Sequence, residues 1–207
     1  MNLGFDLKEW EEAEAIEMGE RETLELGGHE VVIMDARLYE SPVSHNTSLK
    51  VCVDIAGNDK QKGFFKKQYD NNAMSEAKWP SGATKYLSLK KESLAYTKGF
   101  IKALENSNNG FKFSTSKGWE QINGLKCAGQ FGLEEYEKQD GNIGTSTKLV
   151  QFRSLDKLNE IKIPKVKLLN GELMEYEEYK NRNDETHQLN ELFGSGVVEI
   201  SDEEMPF

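Results

Sequence analysis

Leu49-Lys50-Val51-Cys52-Val53-Asp54-Ile55 is the stretch on which the fold class turns. Leu49, Val51, Val53 and Ile55 recur at every second position and share one face of an extended chain, the period of a half-buried β-strand. Upstream, Val31-Val32-Ile33-Met34 reads as a partner strand, and Ser41-Pro42-Val43-Ser44-His45-Asn46 reads as the loop between the two. Downstream, Ala56-Gly57-Asn58-Asp59 is a turn signal, and Gly63-Phe64-Phe65-Lys66-Lys67-Gln68-Tyr69 reads as a third strand. Residues 70–84 are rich in Asn, Ser, Gly and Pro and read as a long loop, after which Lys85-Tyr86-Leu87-Ser88-Leu89 is a short strand.

The best helix runs from Glu92 to Glu105. Leu94, Phe100, Ile101 and Leu104 fall near one face, and Asn106-Ser107-Asn108-Asn109-Gly110 stops it. Two more strands are expected over Lys126 to Tyr136 and Thr145 to Phe152, joined by a turn at Gln139-Asp140-Gly141-Asn142. Ser154 to Ile161 reads as a short helix, and Ile163-Pro164-Lys165 closes the body. The expected class is mainly β with one or two helices, arranged as a five-stranded Greek-key barrel of the OB-fold type. A small α+β sandwich is the alternative.

The 207 residues carry a formal net charge of −10, which argues against nucleic acid only until its distribution is read. Residues 1–30 hold ten acidic and two basic residues, residues 31–169 hold fifteen and twenty-two, and residues 170–207 hold eleven and two. A basic body is therefore flanked by two acidic ends. Its field decays over about 8–10 Å at physiological salt, so distant acidic ends need not cancel it. The expected organisation is an acidic helical extension over 1–22, with Asp6 capping a helix over 6–18, and a body over 23–169. An acidic linker, partly disordered, follows over 170–198, and a terminal tip over 199–207.

No run approaches the ~18 apolar residues of a membrane span, and no basic flank precedes an apolar stretch, so neither a membrane segment nor a signal peptide is expected. Cys52 and Cys127 sit among apolar residues and read as reduced core thiols, which fits a cytoplasmic chain.

The tip Asp202-Glu203-Glu204-Met205-Pro206-Phe207 joins an acidic run to a terminal aromatic residue. The ring can fill an apolar pocket while the α-carboxylate meets a cation beside it, and Pro206 reduces the entropy lost on docking. This tip resembles that of bacterial single-stranded DNA-binding proteins, which end in several acids, an apolar residue and Pro-Phe. The resemblance implies docking onto replication, recombination or repair proteins through Asp202, Glu203, Glu204, Met205, Pro206 and Phe207. It departs from that pattern in using two Glu among the acids and in placing Met205 where a β-branched or leucine-like residue is usual.

A second resemblance covers roughly residues 25–168. Gly63-Phe64-Phe65, Trp79, Lys90-Lys91-Glu92-Ser93-Leu94, Phe100-Ile101 and Glu105-Asn106-Ser107-Asn108 carry it, continued by Gly129 to Tyr136, Gly141 and Ile163-Pro164. The body is similar to a family of short phage replication-module proteins, some of them single-stranded DNA-binding proteins. That likeness implies an OB-like DNA-binding domain working in the host bacterial cytoplasm.

Cations and rings interleave along the body, as single-strand binding requires: cations track phosphates and rings stack on bases, at about 1–3 kcal/mol per base. Lys60, Lys62, Phe65, Lys66, Lys67 and Tyr69 form one candidate group. Trp79, Lys85, Tyr86, Lys90 and Lys91 form a second, and Lys112, Trp119 and Arg153 complete the set. If residues 63–69 form a strand, Phe65, Lys67 and Tyr69 share one face and Phe64, Lys66 and Gln68 the other. Phe64 is then assigned to the core, with the opposite assignment left open.

Enzymatic signatures are few. His29, His45 and His187 are isolated, no phosphate-binding loop occurs, and Gly27-Gly28 forms no dinucleotide fingerprint. Glu134, Glu135, Glu137 and Asp140 read as a solvated strand end and turn rather than as metal ligands. The expectation is a protein without enzymatic activity or cofactor that binds and protects single-stranded DNA regardless of sequence in phage replication or recombination. It recruits replication or recombination proteins of host or phage through its tip, and an open sheet edge offers a route to a homo-oligomer. The rival expectation is a protein–protein adaptor that uses the tip without touching DNA.

Overall fold

The computed structural model describes residues 22–72 and 78–183. The expected N-terminal helix over 6–18 and the tip over 199–207 lie outside the described residues. Seven strands and few helices make the chain mainly β. In chain order they are β1 (Gly27–Glu40), β2 (Thr47–Ile55), α1 (Phe64–Asp70), β3 (Thr84–Ser88), α2 (Leu94–Ser107), β4 (Lys126–Glu137), β5 (Ile143–Arg153), β6 (Val166–Lys167) and β7 (Leu173–Met174). A third helical segment, α3, covers 176–183.

β1 lies between β2 and β4, β3 pairs with β2, and β5 pairs with β4, all antiparallel. β6 joins β4 in parallel beyond the end of β1, and β7 pairs with β6. The sheet does not close: β3, β5 and the short β7 remain its edges. Two irregularities bend it. The register slips between Ile33 and Asp35 in β1, and between Gln130 and Phe131 in β4, where Val150 of β5 is the extra residue. Such bulges sharpen strand twist, and here β1 pairs on both sides before the first bulge and only with β2 after it.

The alternation read from β2 holds: Leu49, Val51, Val53 and Ile55 are all buried. They pack with Val31, Ile33, Phe131 and Leu149 from the neighbouring strands and with Phe100 and Leu104 from α2. Each such side chain contributes roughly 1.5–3 kcal/mol when removed from water. Cys52 and Cys127 are buried free thiols. Gly99 stands in the middle of α2, where glycine costs about 1 kcal/mol relative to alanine.

The mainly β expectation holds, in a sheet of seven strands that does not close. Two expectations need correction. The expected third strand, Gly63 to Tyr69, is helix α1. The carboxylate of Asp54, buried on β2, accepts hydrogen bonds from the Phe65 and Lys66 amides (3.0 and 3.3 Å) as well as from Ile55 (2.9 Å). It thereby caps the first turn of α1 from a distant position in the chain. Residues 170–183, expected as linker, are folded: Val166, Leu168 and Tyr179 form a second small core against Leu133. Buried Glu135 fixes it, accepting from the Leu169 amide (3.0 Å) and from Arg182 Nη2 (2.8 Å).

Candidate nucleic-acid interface

The register of β1, β2 and β3 determines which side chains meet outside the core. Arg37 lies opposite Lys50, and Lys50 opposite Tyr86; Tyr39 lies opposite Ser48, and Ser48 opposite Ser88. Side chains alternate across a strand, so Arg37, Tyr39, Ser48, Lys50, Tyr86 and Ser88 emerge together on the outer face, away from Leu49 and Val51. The Tyr39 and Tyr86 rings meet above β2 with centroids 5.0 Å apart and planes tilted by 56°. Tyr86 is 48% exposed, while its neighbour Leu87 turns into the core. Burial raises its hydroxyl above the ordinary value, helped by Tyr39 and Cys52 and opposed by the nearby Arg37 cation. Arg37 also meets Asp35 at 3.2 Å, a solvent-exposed contact of little strength.

This ring pair walls a depression together with the β1–β2 loop, Lys90 and Glu92. Tyr86, Ser88 and Ser93 wall it on one side and a second cleft on the other. The second cleft, about 650 Å³, occupies the seam between the edges β3 and β5 and is bordered by the first half of α2. Lys85, Tyr96, Phe152 and Arg153 line it. Phe152 packs on Phe100 at 4.3 Å between centroids, and Tyr96 at the rim is 78% exposed. Arg153 leads on to a small basic depression containing Lys157 and Lys162, with Glu160 the opposing charge. The three depressions therefore share walls and form one path, lined by rings and mostly by cations.

Lys85 is half-buried in this path. Burial lowers its pKa below the ordinary lysine value, Glu134 opposes that shift, and Lys167 adds to it.

Of the residues singled out from sequence, Lys85, Tyr86, Lys90, Lys91 and Arg153 lie in or beside this path. The others lie elsewhere. Lys60, Lys62, Lys66, Lys67 and Tyr69 belong to α1 and the turn before it, beyond Asp54 and thus ~13 Å further along β2 at 3.3 Å per residue. Lys66 is paired with Asp70 one helical turn on, which holds its ammonium above the ordinary value. Phe65 is 2% exposed and stacks on Phe131, so it joins Phe64 in the core rather than facing solvent. Trp79 donates its indole N–H to the Val53 carbonyl (2.9 Å) and packs against Tyr69 and the core. Trp119 is half-buried against Phe113 and the core, and Lys112 reaches Glu105 at 3.7 Å.

Ending the first strand at Met34 hides Arg37 and Tyr39, and with them the role of Lys50, which lies in the strand read as β2 but gains its place in the site only opposite Arg37. The available signal was the alternation Arg37-Leu38-Tyr39 facing Lys50 across the hairpin. The acidic residues weighed as metal ligands disperse: Glu134 pairs with Lys167, Glu135 with Arg182, and Asp140 accepts the Asn142 amide. Among the described residues no group of three or more His, Cys, Asp and Glu side chains is placed to hold a metal ion, and no helix is long and apolar enough to cross a membrane. No protein-family model and no curated protein matches the chain.

Proposed function

We propose that this chain binds single-stranded DNA on the outer face of β1, β2 and β3, without sequence preference and without catalysis. The observation that carries the reading is the Tyr39–Tyr86 ring pair, flanked by Arg37, Lys50 and Lys90 and continuous with the cleft at Phe152 and Arg153. Exposed rings beside cations suit a strand whose bases are unpaired: each base offers a face to stack on, and each phosphate a charge to neutralise. A duplex hides its base faces and would leave the rings without a role.

The connectivity supports the same reading. The pairing β3-β2-β1-β4-β5, with a helix between β3 and β4, is compatible with an opened five-stranded Greek-key barrel of the OB type, its gap between β3 and β5. β6, β7 and α3 are then additions to it. In such a barrel the second and third strands and the loops beside them bind nucleic acid, and the position of Tyr86 on β3, with Tyr39 leaning over β2 from β1, supports the reading.

Recruitment of replication or recombination proteins is assigned to Asp202, Glu203, Glu204, Met205, Pro206 and Phe207, by the chemistry of an acidic run ending in Pro-Phe. The setting is phage replication or recombination in the host bacterial cytoplasm. Fluorescence titration with oligo(dT) and with a duplex of equal length, at low and moderate salt, tests the DNA-binding reading. The expected result is preference for the single strand and an affinity that falls steeply with salt. Equal binding of both, or no binding of either, overturns it and favours an adaptor that works through the tip alone.

A further inference from the structure

Gly99 has no packing role within the chain. It lies in the interior of α2, where glycine is the least favourable residue apart from proline. It lines the seam cleft, its φ is not left-handed, and a Cβ built on it would meet no atom within 4 Å. Other glycines of this fold have evident reasons: a Cβ on Gly82 would lie 2.5 Å from the Thr147 carbonyl, and one on Gly132 would lie 2.4 Å from Pro164. Gly99 is exposed, the helix gives up stability there, and the residue borders the cleft whose other walls include Phe152 and the edges of β3 and β5.

Those edges carry hydrogen-bonding groups of their own. The Ser88 carbonyl is turned from β2 toward α2, where it accepts from Thr97 Oγ1 (3.1 Å). By the alternation of a strand, the Tyr86 amide and carbonyl two residues earlier also point into the seam. β3 has no partner strand on that side. The cleft thus offers an aromatic wall, the backbone polar groups of a strand edge, and Lys85 and Arg153 at its borders. Its volume lies within the ~300–1,000 Å³ usual for sites that enclose a small ligand.

We infer that the seam cleft receives one unstacked nucleobase of the bound strand, seated against Phe152 with its edge toward the β3 backbone and its ring over Gly99. This rests on the single-strand reading above and adds to it a pocket distinct from the open Tyr39–Tyr86 platform. A base suits the cleft better than a peptide side chain does. The cleft opens directly onto the ring platform, and cations flank both mouths, where the phosphates on either side of an inserted base would lie.

The test is substitution of Gly99, read by oligo(dT) titration and by thermal unfolding. Gly99→Leu fills the cleft, whereas Gly99→Ala mainly improves the helix. Gly99→Ala should raise the melting temperature by about 2–4 °C. Gly99→Leu should keep a cooperative transition at or above the wild-type temperature and bind oligo(dT) about tenfold more weakly, the loss of roughly one stacked base. It should also lose less than wild type when abasic sugars replace the bases of the oligonucleotide. Wild-type affinity for oligo(dT) in a folded Gly99→Leu variant overturns the base pocket, leaves the single-strand reading intact, and points to a peptide as the occupant of the cleft. Failure of the wild-type protein itself to bind oligo(dT) overturns the single-strand reading and the pocket together.

Discussion

Tyr39 and Tyr86 come from strands that never pair with each other, yet their rings meet 5.0 Å apart above β2. Beneath them, between β1 and β3 on that face, β2 places the small Ser48 and the flexible Lys50, so the rings lean together over them and stay partly exposed. Neither ring is needed by the core, whose members lie on the opposite face.

Replacing either tyrosine should therefore reduce function more than stability. Tyr39→Ala and Tyr86→Ala are each expected to weaken oligo(dT) binding by about 5–100-fold, the range for one lost stacking partner, with a change in unfolding free energy of about 1 kcal/mol or less. Because the rings touch, the double variant should lose less than the product of the single losses. Fluorescence anisotropy on the three variants, with urea unfolding in parallel, measures both quantities.

Arg37, Lys50 and Arg153 should act on the salt dependence rather than on base preference. Each phosphate contact removed is expected to flatten the plot of log affinity against log salt by about 0.7. Arg37→Gln, Lys50→Gln and Arg153→Gln should weaken binding to oligo(dT) and oligo(dA) alike. The same change at Lys112, which is turned toward Glu105, should leave the slope unaltered.

Lys85 gives the binding a pH dependence whose sign follows from its burial. Its pKa is lowered in the folded protein, so the free site loses that proton at a pH where ordinary lysines are still charged. Affinity for single strands should fall as the pH rises through the lowered value, and binding in that range should be accompanied by proton uptake. Lys85→Met should abolish this alkaline step. For folding the sign is opposite. The unfolded chain holds the proton more tightly, so the contribution of Lys85 to stability rises with pH between the folded value and 10.5 and is lost as pH falls through the folded value. Calorimetric titration in buffers of different ionisation enthalpy detects the uptake.

Two close contacts hold the frame of the site. A Cβ at residue 82 would lie 2.5 Å from the Thr147 carbonyl, so Gly82→Ala must push the start of β3 away from β5, at an expected cost of about 1–3 kcal/mol. Asp54→Ala would leave the Phe65 and Ile55 amides without an acceptor in a dry environment, costing about 2–3 kcal/mol, whereas Asp54→Asn keeps an acceptor oxygen and should cost less. Urea denaturation of the three variants ranks them.

The strands were legible where one face was buried and the other solvated. In β2, Leu49, Val51, Val53 and Ile55 share the buried face as their spacing required, whereas β4 buries six residues in a row from Cys127 to Gly132 and was read from its β-like composition alone; α2 was marked by Leu94, Phe100, Ile101 and Leu104 and by the Asn-rich stop after it. α1 was not legible. Seven residues are too few to display a helical period, and its cap is Asp54 on β2 rather than a residue just ahead of it. The far half of β1 was missed because Met34 falls at a bulge, which breaks the alternation that continues through Arg37 and Tyr39. This omission had the largest effect on the site, because it hid one of the two rings. The basic-aromatic interleaving itself was real, but composition cannot say which rings the core takes. Phe65, Trp79 and Trp119 pack inward, while Tyr86 stays outside.

Ultraviolet cross-linking of oligo(dT) to the full chain, with the modified residues located by mass spectrometry, tests the placement of the strand most directly. Adducts at Tyr39 and Tyr86, with a further one at Phe152 or Tyr96, are the expected result. Adducts confined to Tyr69, Trp79 or Trp119, with the tyrosine pair unmodified, would contradict it and move the bound strand to the surface around α1 or Phe113.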